Sequence, residues 1–191
     1  MTQQSVRDHL RAHFGVQPDS ASVTFLGTEP IEVLRFAAGP VVHYVSAGCS
    51  RYPMTDPAEI VADPVRGPRA EVVVRLRDPG AITGLARSVA ILAAAPAVEG
   101  VVLLPDALVD LGSPLWARPS ERVPLTALLL GPSDIPDLEL DAPRDPVRFL
   151  AATPITATEA AWVRLKGAEA MREAWRDDGV DVLDPRRQPR R

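Results

Sequence analysis

The alternation of apolar and polar positions divides the chain into strand-like and helix-like stretches. Near the start, "SVRDHLRAHFG" places Val6, Leu10 and Phe14 on one face at helical spacing, with Ser5 as cap and Gly15 as stop. "SVTFLG", "IEVLRFA" and "VVHYVSAG" follow as β-branched and aromatic runs separated by Gly and Pro, a strand signature. Residues 53–68 hold four prolines and little periodicity, which predicts a long surface loop. "RAEVVVRLR" resumes a strand, and its unbroken valines predict burial on both faces, as in a central strand. Asp78-Pro79 reads as a helix start, after which Ile82, Leu85, Val89 and Leu92 recur at helical spacing up to Pro96. "GVVLLP", "VPLTALLLG" and "VRFLAATPI" supply three more apolar strands. In "TATE", Thr156 and Glu159 fit a capping box, and Trp162, Leu165, Ala168 and Trp175 carry a helix on to Gly179. The expectation is a single α+β domain over residues 1–182, followed by a disordered basic tail at 183–191.

Composition sharpens this picture in a few places. The 20 prolines are about twice the number that a ~5% average predicts, so irregular connections should be frequent. Lys166 is the sole lysine, and any Schiff-base or phosphate-loop chemistry would have to use it. Its isolation among arginines, with abundant alanine, points to a GC-rich bacterial genome. One cysteine excludes an intramolecular disulfide and a CxxC zinc site. The polar start "MTQQSVRDHL" lacks the apolar core of a signal peptide. The greasiest stretch is broken by Pro96, Glu99 and Gly100, short of the ~20 residues that span a membrane. These features predict a cytoplasmic protein without membrane contact. Net charge is −4, but "RRQPRR" at the end carries four arginines; the remaining 17 basic and 25 acidic residues leave the body at −8. Such a body repels phosphate, and no aromatic residue interleaves the arginines, which argues against nucleic acid as a partner.

Candidate chemistry concentrates in "VVHYVSAGCSRYPM", Val41 to Met54, which contains the cysteine, a histidine, both tyrosines, two serines and an arginine. A cysteine nucleophile needs a base, yet a strand from Val41 to Gly48 would hold His43 and Cys49 about 20 Å apart at ~3.3 Å per residue. No Gly-x-Ser-x-Gly elbow is present for Ser46 or Ser50. His9 and His13 stand at i, i+4, but Arg11 between them disfavours a metal ion. The run "SDIPDLELDAPRD" offers Asp134 and Asp137 among its acids; with its prolines it reads as a solvated edge that steers a cationic partner. There is no GxGxxG or GxxxxGK[ST], so no cofactor is expected. A hydrolase using the Gly48–Tyr52 turn stays as a minor alternative.

The order of these motifs resembles the Suppressor-of-fused domain family. The likeness runs from about Val23 to Trp175 through "FLGTEPIEVLRF", "VVHYVSAGCS", the Glu-Val-Val-Val-Arg-Leu strand, "PLTALLLGPSDIPDL" and "VRFLAATPITATEAAWVRLKGAEAMREAW". The resemblance implies a mixed β-sheet flanked by helices and a protein-binding module without catalysis. Eukaryotic relatives sequester a transcription factor and carry a further C-terminal domain; their two-lobed clamp is not expected of a compact bacterial member. Compact bacterial members have been proposed as immunity proteins that neutralise polymorphic toxins. The partner would then be another protein, such as a basic toxin domain, or in the alternative a transcription factor held by a scaffold. In the family Gly48 and Ser50 belong to a strand-ending turn and the position of Cys49 is typically apolar, so Cys49 should pack. Arg51 and Tyr52 beside that turn, Trp116 in "GSPLWARP", and Asp134 and Asp137 are the expected partner contacts.

Overall fold

The computed structural model describes residues 2–56, 58, 59 and 61–189. Its backbone is one mixed sheet between two helical layers. The strands are β1 (Asp19–Val23), β2 (Ile31–Ala37), β3 (Val41–Ala47), β4 (Arg69–Arg77), β5 (Leu108–Asp110), β6 (Leu125–Pro132) and β7 (Val147–Thr156). They lie in the order β1-β2-β3-β4-β7-β6-β5, with β4 parallel to β7 and every other pair antiparallel. The valine-rich β4 sits fourth of seven and is buried along nearly its whole length, as its composition predicts.

Helix α2 (Leu85–Glu99) covers one face. Val89, Leu92, Ala90 and Ala93 pack there on Val72, Val74, Leu128 and Leu130. Wholly burying each valine or leucine contributes about 1.5–3 kcal/mol. Helix α1 (Thr2–Phe14) covers the other face, setting Val6 and Leu10 on Leu34, Phe36, Val45 and Phe149. Further along that face, α3 (Ala157–Lys166) and α4 (Ala168–Asp177) cover Ala127, Leu129 and Ile155 with Ala160, Met171 and Trp175.

Several boundaries differ from expectation, each for a local reason. The first helix begins at Thr2, so Ser5 lies inside it. β1 ends at Val23, leaving Phe25 to Gly27 in a turn closed by the Thr28 N–H on the Phe25 carbonyl. Asp78 does not open a helix: it has a φ of 41° and its N–H bonds the Pro40 carbonyl, so α2 starts later, after Gly84. α2 also runs through Pro96, which forgoes only the bond to the Leu92 carbonyl, and stops at Gly100 in the left-handed region. "GVVLLP" is not a strand; the Leu103 N–H points at the Met54 sulfur, and the chain rejoins the sheet only when Asp106 N–H meets the Leu130 carbonyl. The last helix is two, broken at Gly167 (φ 91°); α3 buries Ala160 and Val163, which puts Trp162 and Leu165 on its outer face. Finally, within the stretch expected to be a disordered basic tail, Arg187 is 9% exposed and bound to Glu159; residues 190 and 191 lie outside the described residues.

Candidate functional site

The "SAGCS" segment closes β3 with a single 3-10 turn, Cys49–Arg51, entered through Gly48 at φ 139°. A side chain there would be strained, and its Cβ would lie 3.3 Å from Ile31 and 3.4 Å from the Pro30 carbonyl. Beneath the turn lies Glu71 of β4, fully buried. Its Oε1 accepts from the N–H groups of Gly48 (2.9 Å) and Ser50 (3.0 Å) and from the Ser50 hydroxyl (2.6 Å). Its Oε2 accepts from the Cys49 N–H (3.3 Å) and the Ser46 hydroxyl (2.5 Å). Ser46 in turn accepts from the Val72 N–H, which ties the network into the sheet. Five donors thus converge on one carboxylate, the condition under which burying it is tolerable.

Arg69, two positions earlier on the same face of β4, serves the other end of the turn. One guanidinium nitrogen donates to the carbonyls of Ser50 (2.9 Å) and Arg51 (3.0 Å), the other to Val65 (3.0 Å). A buried acid takes the turn's amides and a buried base takes its carbonyls, so the turn is braced at both ends. A third buried charge, Glu32 of β2, binds Arg7, Gln3 and Ser20 and fastens α1 alongside. None of Glu71, Arg69 or Glu32 stands out in the sequence. The available signal was a carboxylate within an apolar, doubly buried strand, close in the fold to a donor-rich glycine turn.

What the brace presents is Arg51 and Tyr52. Arg51 reaches Glu29 (3.1 Å), the Gln3 side chain (2.8 Å) and the Pro30 carbonyl (3.1 Å). Tyr52 is 63% exposed, and its hydroxyl donates to Glu29 at 2.8 Å; that hydrogen bond and the carboxylate's charge raise the phenol above its usual range. Beside them opens a cavity of about 350 Å³, floored by Ile31, Cys49, Ala93, Ala94, Pro96 and Ala97. Leu26, next to the cavity-lining Gly27, is fully exposed.

The Cys49 thiol is buried; burial, and then the nearby Glu71 carboxylate, push it well above its usual range and away from the thiolate a nucleophile needs. His43 lies against Phe14, ring centroids 4.7 Å apart, and is held below its usual value by burial and then by Arg75. Among the described residues no cluster of three or more His, Cys, Asp or Glu side chains is placed to hold a metal ion, and no helix is long and apolar enough to cross a membrane.

The other expected contacts separate from this turn. Asp134 pairs with Arg75 at 3.5 Å, and both Asp134 and Asp137 are exposed. They flank Pro136, whose carbonyl meets His9 of α1 (2.8 Å), whereas Arg51 meets Gln3. Six residues of helix, roughly 9 Å at ~1.5 Å per residue, lie between those two anchor points. Trp116 requires a correction. It is 2% exposed and packs in the core under α2, because Ala117 is pinned to Thr83 by paired backbone bonds that turn the indole inward. It is not available as a surface contact.

A second polar centre forms where α3, α4 and the tail meet. The capping box is present: Thr156 N–H donates to Glu159 (2.8 Å) and Glu159 N–H to the Thr156 hydroxyl (3.2 Å). The same Glu159 carboxylate accepts from the Trp175 indole (2.9 Å) and pairs with Arg187 (2.5 Å). Burial pushes its pKa up, but Arg187, Thr156 and Trp175 outweigh burial and hold it below the usual carboxylate range.

Sheet order and the two helical layers define an α+β domain built on a single mixed sheet. The family model for Suppressor of fused protein (SUFU) matches residues 27–188, and the chain belongs to that family. Its fold agrees with a protein-binding or regulatory module. Solved structures bear out the fold. The crystal structure of a SUFU homolog from Neisseria gonorrhoeae superposes with a TM-score of 0.67 at 19% identity, over 98% of this chain and 95% of that one. A Sufu–Fu complex gives 0.68 at 19% identity, over 98% and 91%. Drosophila Suppressor of Fused gives 0.66 at 18% identity; 98% of this chain matches half of that one. A search of the curated proteins returns no match.

Proposed function

We propose that this chain is a non-catalytic protein-binding module whose contact surface centres on Arg51, Tyr52 and the adjoining groove. The observation that carries this reading is the contrast between support and exposure: a turn braced by Glu71 and Arg69 holds out a tyrosine that is 63% exposed. An ordered aromatic beside an arginine has the composition of an interface hot spot, and a pre-organised loop loses little entropy on binding. The −8 body favours a basic partner, and Asp134 and Asp137 would add to its steering. Within that class we favour neutralisation of a basic toxin domain, in the manner of an immunity protein. The Sufu–Fu complex supports the broader alternative, a regulatory scaffold, through the binding of a protein by a structural relative.

Affinity capture with wild type, Tyr52→Ala and Arg51→Ala tests the surface. A partner held by wild type should be lost by Tyr52→Ala, with a weakening of about tenfold or more, as hot-spot truncations give. Equal retention by both variants overturns the assignment of this surface. A basic toxin-like domain in the eluate supports neutralisation, and a transcription regulator supports the scaffold instead.

A further inference from the structure

We propose that the cleft between α3 and α4 is a docking site for an arginine-bearing segment of a basic partner, and that Arg187 of the chain's own tail occupies its inner end as a competitor. The inference rests on the reading that the partner is basic, but it concerns a different surface.

The inner end is built for a guanidinium. Arg187 gives one terminal nitrogen to Glu159 (2.5 Å) and the other to the Pro154 carbonyl (2.6 Å), while its carbon lies 5.7 Å from the centroid of the Trp175 ring. Carboxylate, carbonyl and aromatic face are the three groups that together recognise arginine over lysine. From the same Glu159 and Trp175 an open cleft of about 210 Å³ extends outward, with the part-exposed indole of Trp162 on its wall. The cleft and the Arg187 contact share Glu159 and Trp175, so an arginine entering along the cleft meets the same two residues once Arg187 withdraws.

Two features make Arg187 exchangeable. Its Nε is buried without a hydrogen-bond partner, so the native occupant fits the site incompletely. The tail is also lightly held: the backbone bonds of Asp184 and Arg187 are local turns, Pro185 is the only other buried residue from 184 to 189, and Arg186 adds only a solvent-exposed ion pair to Glu121 at 3.9 Å. A tail that leaves part of the time lowers the apparent affinity of a competitor by the fraction of open sites.

The test uses the full chain and a free acetyl-RRQPRR-amide peptide at ~0.15 M salt. Arg187→Ala should bind the peptide about tenfold or more tightly than wild type. Arg186→Ala, which removes the same charge but not the latch, should not, and Glu159→Gln added to Arg187→Ala should abolish the gain. An equal gain in Arg186→Ala and Arg187→Ala would mean bulk charge alone and overturn the proposal. Should Arg187→Ala fail to fold, wild type decides: saturating peptide should accelerate amide exchange at residues 186–188, and unchanged exchange sinks the latch. Because the peptide is defined, this outcome is independent of whether capture through Tyr52 succeeds.

Discussion

Glu71 is a fully buried acid and Glu159 a partly buried one; each holds a turn or helix end in place, but they are satisfied differently. Glu71 is bound by three backbone amides and two hydroxyls, with no cation among its hydrogen-bond donors. Glu159 takes one amide and one indole, and completes its shell with a guanidinium from 28 residues away in sequence. Amide donors are part of the turn they stabilise and leave only if the turn unfolds. An arginine side chain leaves by rotating away, without unfolding the helix end it pairs with. The first construction suits the partner surface proposed at the turn; the second suits the exchange proposed for Arg187. The assignment of a partner surface to one and a competitor to the other follows from that difference.

The comparison breaks most directly at Glu71. Glu71→Gln keeps the volume but turns one acceptor into a donor, so at least two of the converging N–H and O–H groups lose their partner. At about 1–3 kcal/mol for each buried unsatisfied donor, a loss of ~3 kcal/mol or more is expected. Urea titration should show a lower midpoint at unchanged slope. A loss below ~1 kcal/mol would mean that the turn does not depend on this carboxylate. Gly48→Ala should cost about 1–3 kcal/mol, through its φ of 139° and the close Ile31 and Pro30 contacts.

Arg187→Ala comes next, at about 2 kcal/mol. Breaking a buried pair commonly costs ~3–5 kcal/mol, but here Glu159 keeps Thr156 and Trp175 as donors, and the open cleft admits water. The pair also sets an acid response. Glu159 is held below its ordinary value in the folded protein, so the unfolded chain takes up the proton first as pH falls. Its stabilising contribution is complete above the unfolded carboxyl pKa of about 4.3 and is lost as pH drops through the folded value. Melting temperature measured downward from pH 5 should therefore fall more gently in Arg187→Ala than in wild type. Parallel curves would exclude Arg187 as the source of the response.

The same contrast explains what could be read from the sequence. Elements that follow from local chemistry were legible: β2, β3, β4, β6 and β7 from their apolar runs, the α3 capping box from Thr156 and Glu159, the long proline-rich loop, and the family from the order of its motifs. What escaped depends on partners distant in the chain. Trp116 looks like a surface aromatic in a Pro-rich loop until the Thr83–Ala117 bridge turns it inward. Trp162 and Leu165 fit a helical stripe, yet α3 buries Ala160 and Val163 instead, and the first two lie on its outer face. The stretch beyond Leu183 reads as a disordered end, because nothing local announces that Arg187 meets Glu159. At the turn itself, Arg51 and Tyr52 were singled out while Glu71 and Arg69, which hold them there, were not.

The smallest expected effect lies at Cys49, beside the Glu71 network. Cys49 contributes its backbone N–H to Glu71, and its thiol is a small buried apolar group on the floor of the groove. Cys49→Ala keeps the N–H and removes only the sulfur, so stability should change by about 1 kcal/mol or less. Partner capture should be unchanged as well. The comparison with Glu71→Gln then becomes sharp: two substitutions in one network, one removing the acceptor and one a spectator side chain, differ by ~2 kcal/mol or more. If Cys49→Ala instead abolished a cellular phenotype while leaving urea stability and partner capture intact, the thiol would have a chemical role. The hydrolase alternative at the Gly48–Tyr52 turn would then displace the binding module.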